Sequence, residues 1–160
     1  MSDLQHPRRA LATLGHEMPE PVKAVASYLP AVRQGGVIYV SGQLPMRRGE
    51  LMATGTVPSA VSVEKAATAA GQCVLNALAA ADGLLGGDWS GVERIVRVAV
   101  FVASDPGFGQ QHVIANGASD LLVRAFGESG RHARAAVGVP GLPMNAAVEV
   151  EVWLACGGSA

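Results

Sequence analysis

The segment Ala147-Val-Glu-Val-Glu-Val-Trp-Leu-Ala155 alternates almost without exception, with Val148, Val150, Val152 and Leu154 on one side and Glu149, Glu151 and Trp153 on the other. Successive side chains of a strand point to opposite faces, so this segment demands a sheet with one face in a core. A second run, Ile95 to Ala103, places Val96, Val98, Val100 and Val102 on one face and Arg97, Ala99 and Phe101 on the other. Gly36 to Gly42 is a β-branched and aromatic run between glycines, followed by a turn through Arg47, Arg48 and Gly49; Arg134 to Val139 reads as a further strand. Pro140, Gly141 and Pro143 separate that strand from the last one.

Two helices interleave with these strands. Apolar residues at 63, 67, 70, 74, 78 and 81 share a helical face, with Ser62 as N-cap, Glu64 at the positive end of the helix dipole and Asp82-Gly83 as the expected stop. Eight alanines between 63 and 81 leave it smooth enough to approach a sheet closely. Ile114, Ala118, Leu121, Leu122 and Ala125 mark the second helix, which Gly127 terminates. Two helices among four or five strands cover one sheet face. The other face then shows Tyr39, Arg97, Phe101, Glu149, Glu151 and Trp153, too apolar to leave open and too charged for an ordinary interior. Association of copies through that face resolves the conflict, with its polar residues lining clefts between subunits.

The 160 residues form a single domain. Hydrophobic residues at 49% against charged residues at 16% exclude disorder. Net charge -1 and two lysines disfavour a dedicated nucleic-acid binder. The longest uncharged run, Ala66 to Ala81, is too short and too interrupted for a transmembrane helix. Residues Met1 to Ala10 lack the apolar core of a secretory signal, and Cys73 and Cys156 belong to no metal-binding pattern, so a cytoplasmic protein with packed, free thiols is expected.

Arg134 and Glu149 are the candidate chemistry. If their strands pair as a hairpin-like unit the two side chains come together: the arginine fork suits a carboxylate, and Glu149 can hold a water and accept its proton. The alternative is ordinary surface charge, a solvated arginine and the polar side of an amphipathic strand. His112 and His132 have no partner at metal-ligand spacing and read as solvent-exposed or structural, with His132 close enough to Arg134 to tune its cleft.

Arg134 to Ala155 resembles the C-terminal signature of the Rid (YjgF-like) family: an Arg, small and β-branched residues, Leu-Pro, then Val-Glu-Val-Glu. Tyr28 to Pro45 resembles the same family's Tyr-x-x-Ala-Val and its strand ending Ser41-Gly42-Gln43-Leu44-Pro45. The helix at 63–81 and the Val-x-Val-Phe-Val strand fall in the family's order, and the resemblance spans roughly residues 26 to 155, which implies 26–155 as the core and 1–25 as an N-terminal extension.

That resemblance implies an α+β fold like the trimeric chorismate mutases, a mixed β-sheet with two helices on one face, assembled as a homotrimer with three clefts between subunits. It also implies an enamine/imine deaminase that hydrolyses reactive 2-imino acids to 2-keto acids and ammonia, with neither metal nor organic cofactor. Arg134 would bind the substrate carboxylate and Glu149 would activate water. Tyr28 would border the cleft from a neighbouring subunit, with Gly42 and the backbone N–H of Ala136 near the ligand. The family's second-helix Asn falls at Asn116 or Ser119. Ala136 stands where well-known deaminases carry Cys, and the longer N-terminal segment and Asp82 to Gly91 loop suggest a separate subgroup. The other functional readings are a non-catalytic trimer that binds a small carboxylate and an endoribonuclease.

Overall fold

The computed structural model describes residues 6–21 and 27–157; the expected boundary between extension and core at residues 25 and 26 lies outside them, as do residues 1–5. The fold is α+β. Its main sheet runs in the order β1 (Ala31–Gln34), β2 (Val37–Val40), β7 (Val148–Cys156), β5 (Val92–Ala103), β6 (Ala133–Val139). The β5–β6 pair is parallel and the other neighbours are antiparallel, so the sheet is mixed. A small hairpin of β3 (Met46–Arg47) and β4 (Glu50–Leu51) turns at Arg48 and Gly49, both at positive φ. The sequence patterns anticipated every strand of the main sheet except β1, a short strand whose residues are mostly exposed.

Helices α2 (Val63–Leu85) and α3 (Gln111–Phe126) lie together on the valine face. Val98, Val100 and Val102 of β5 and Val148, Val150, Val152 and Leu154 of β7 are all fully buried there. Each such side chain contributes roughly 1.5–3 kcal/mol of apolar transfer free energy, so this layer carries the fold. The Ser62 hydroxyl caps α2 by accepting from the Lys65 N–H at 3.2 Å.

Three readings need correction. Val96 is not on the core face: the ladder between β5 and β7 shifts register between Ile95 and Arg97, so Ile95 is fully buried and Val96 is 36% exposed. An irregularity of this kind breaks the alternation that the reading assumed. Asp82-Gly83 does not stop α2, which runs on to Leu85 and ends at the left-handed Gly86. Asp82 is instead buried, accepting from Trp89 Nε1 at 2.7 Å and from Arg8 Nη2 and Nε at 3.1 and 3.3 Å. Arg8 belongs to the short helix α1 (Pro7–Thr13), so this carboxylate fastens α1 to the end of α2. Thirdly, the strands of Arg134 and Glu149 are not a hairpin unit, because β5 lies between β6 and β7.

The crossing of α2 and α3 depends on Gly117, where a Cβ would overlap the Ala67 carbonyl; at Gly71 the nearest atom to an added Cβ, the Gly117 carbonyl oxygen, is 3.4 Å away. Alanine gains about 1 kcal/mol of helix propensity at either site, while overpacking against backbone costs about 1–3 kcal/mol. Gly117→Ala, whose overlap with backbone puts it at the upper end of that cost, is therefore expected to destabilise by about 2 kcal/mol net and Gly71→Ala to be neutral or stabilising, as read by urea denaturation of the two variants.

Candidate functional site

The sheet sorts the candidate residues onto two faces. Arg134 is opposite Val98 in the parallel ladder and so points to the helix side, whereas Glu149 is opposite Phe101 on the uncovered side. Within one chain the two side chains do not meet.

The arginine half of the site sits where the edge strand β6 passes under α3. His112, Asn116 and Ser119 follow each other at helical spacings of four and three, which stacks them along one stripe of α3. Arg134 Nη1 donates to Asn116 Oδ1 at 2.9 Å and to Ser119 Oγ at 3.1 Å, and Nη2 donates to the His112 carbonyl at 3.4 Å. The two alternatives left open for the second helix therefore both contact the arginine. With both Nη1 protons and one Nη2 proton engaged, the Nε proton and the second Nη2 proton, the pair of the side-on edge, are left to grip a carboxylate through two hydrogen bonds. Ala136 lies two residues further along β6 on the same face, opposite Val100.

His132, close enough to Arg134 in sequence to tune its cleft, joins this half through Ser119. Its Nδ1 lies 2.6 Å from the Gly130 carbonyl and its Nε2 3.0 Å from Ser119 Oγ. A carbonyl can only accept, so Nδ1 carries the proton and Nε2 accepts from the Ser119 hydroxyl. Burial, and then the Arg134 charge, hold the imidazole below its ordinary value, against the opposing pull of the Gly130 carbonyl. The two-residue spacing between His132 and Arg134 puts both on one side of an extended chain; the contact through Ser119 is what the spacing alone does not show.

The glutamate half gathers on the other face. Gln43 and Val150 exchange backbone hydrogen bonds of 2.9 and 3.0 Å, which lays Gly42 beside Glu149. A Cβ at residue 42 would overlap the Glu149 carboxylate. Ser41 anchors the preceding loop, its Oγ donating to the Leu29 carbonyl at 2.6 Å and its N–H to the Pro30 carbonyl at 2.9 Å, while Tyr28 stays exposed. Burial first, and the neighbouring Glu151 second, push the Glu149 carboxyl above its ordinary value of 4.5. Beside this half, Tyr39 meets Trp153 edge-on at 5.1 Å, Arg97 lies 4.8 Å from the Trp153 ring centre, and Arg97 Nη1 is 3.9 Å from Glu151. Val32 and Val137 lie exposed on the same face.

A separate cavity of about 790 Å³ opens on the helix side between the Gly15 to Pro19 segment, the β3–β4 hairpin and the two long helices. Arg47, Arg48 and Arg124 share its wall with Glu17 and Asp120, so it presents no single sign of charge.

A family model described as Endoribonuclease L-PSP matches residues 18–156. The chain belongs to this Rid, or YjgF-like, family. Protein TCP17 of Trypanosoma cruzi is 42% identical over 142 residues, covering 88% of each chain. The crystal structure of Atu1372 from Agrobacterium tumefaciens, a protein of unknown function, is 42% identical with a TM-score of 0.86 over 97% of this chain and 93% of that one. The YjgF gene product of E. coli is 25% identical with a TM-score of 0.58, over 85% of this chain and 92% of its own. Among the described residues of this Rid-family chain, no helix is long and apolar enough to cross a membrane.

The environment of His132 has a pH signature. The folded state favours the neutral ring, so its contribution to stability is present above the ordinary value of 6.5 and is lost as the pH falls from there through the lower folded-state value. Urea unfolding at pH 7.5 and 5.5 is expected to show a loss of stability on acidification that is smaller in His132→Gln, which cannot titrate.

Proposed function

We propose that this protein is a cofactor-independent imine deaminase that acts in the cytoplasm on small 2-imino acids as a homotrimer, with each site assembled from two subunits. The observation that carries the reading is the division of the motif residues: Arg134, Asn116, Ser119 and Ala136 lie on one face of the sheet and Glu149, Gly42 and Tyr28 on or beside the other. A cleft that uses both sets needs the arginine half of one copy against the glutamate half of the next. The uncovered face with Val32, Tyr39 and Val137 supplies apolar surface for such a seam.

The chemistry follows from the groups at hand. The iminium carbon of the substrate is already electrophilic, and Arg134 fixes its carboxylate by the side-on edge. Glu149 takes a proton from water as the water oxygen bonds to that carbon, giving a carbinolamine. Return of the proton to nitrogen, with loss of the hydroxyl proton to Glu149 and on to solvent, lets the carbon–nitrogen bond break as the carbonyl forms; iminium plus water balances the 2-keto acid, ammonia and one proton. The raised Glu149 carboxyl is a better proton acceptor than an ordinary glutamate, so kcat/KM is expected to rise with pH through a midpoint above 4.5. A trimer that binds small carboxylates without turnover would use the same Arg134 anchor, and its mark is thermal stabilisation by a 2-keto acid with no faster decay of the imine.

The decisive test is subunit complementation. Arg134→Ala and Glu149→Gln should each lose at least about 100-fold in imine hydrolysis, measured by coupling a dehydratase that releases 2-iminopropanoate. When the two variants are co-refolded in equal amounts, random assembly restores an intact pair in about one quarter of sites, so about a quarter of wild-type activity should return. A mixture no more active than its components would place both groups in one chain or neither in the reaction.

A further inference from the structure

The contacts of His132 point beyond these motif residues. Its ring is fixed at both nitrogens, by the Gly130 carbonyl at 2.6 Å and by Ser119 Oγ at 3.0 Å. The Gly130 carbonyl is itself a fixed point, because Gly130 is buried so tightly against α3 that a Cβ there would overlap the Leu122 carbonyl. A serine inside a helix ordinarily turns its hydroxyl proton back to the carbonyl four residues earlier. Here Nε2 draws that proton away from α3, which leaves the oxygen lone pairs of Ser119 to accept from Arg134 Nη1 at 3.1 Å. The guanidinium of an otherwise exposed arginine on an edge strand is thereby tied, through the Ser119 and His132 side chains, to the Gly130 carbonyl in the turn that follows α3.

We propose that His132, acting through Ser119, is a positioning residue that holds the Arg134 guanidinium with its side-on edge turned toward the substrate carboxylate. This rests on the deaminase reading for its functional consequence but not for its structural content. His132 touches no reacting atom; its effect is on how much rotational freedom Arg134 must surrender when the anion binds. Nearby charges are otherwise engaged: Arg131 pairs with Glu128 at 2.9 Å, and Arg94 donates to the Arg131 carbonyl at 2.9 Å.

The test uses the full-length protein and two readouts. Nitrogen-15 NMR of the Arg134 side chain reports rotation about its Cζ–Nε bond, and imine hydrolysis reports KM and kcat separately. His132→Phe and Ser119→Ala should speed the rotation and raise KM about threefold to tenfold, the effect of one lost hydrogen bond, with kcat nearly unchanged. His132→Gln, which keeps an acceptor near the position of Nε2, should restore both values toward wild type and guards against a variant that merely folds poorly. Unchanged Arg134 signals in His132→Phe, or a fall in kcat at constant KM, would overturn the proposal. If the wild type itself shows no turnover the deaminase reading fails, while the NMR comparison still decides whether His132 holds Arg134.

Discussion

The two-residue period of β5 and β7 is the constraint from which the rest follows. It commits a row of valines and a leucine to the helix layer and, by the same geometry, sends Glu149, Glu151 and Trp153 to the opposite side. A strand cannot bury one set without presenting the other. The separation of Arg134 from Glu149 is thus a property of pleating. It makes a lone protomer chemically incomplete for any reaction needing both groups.

Much of this was legible in the sequence because the signals were local. The alternation in residues 147–155, the Ser62 cap and the alanine-rich face of α2 report directly on hydrogen bonding and burial. What was not legible depended on partners distant in the chain. Val96 looks like its neighbours until the ladder with β7 shifts register, and Asp82 looks like a helix stop until Arg8 and Trp89 reach it. The strand order could not be read from Pro140, Gly141 and Pro143, since a turn signal does not say which neighbour the next strand will choose.

The candidate site shows the same division. Arg134 and Glu149 stand out by motif, and Asn116 and Ser119 stood as alternatives because an isolated helix gives no reason to use both. The arginine supplies that reason: Nη1 has two protons and takes one acceptor from each residue. His132 stands out only by its closeness to Arg134, whereas the carbonyl and hydroxyl that hold its ring are brought to it by the fold. Sequence spacing tests for metal sites are blind to such contacts.

The Asp82 carboxylate has a consequence of another kind. Chain ends commonly fray and can be trimmed by proteases with little penalty. Here the first helix brings a cation to an anion that is 7% exposed, so cutting the chain back past Arg8 would strip a buried negative charge of its guanidinium and leave, among the described residues, the indole N–H as its side-chain partner. Length variation among relatives at this end should therefore be correlated: shortening that discards the arginine should be accompanied by a neutral residue at the end of the long helix.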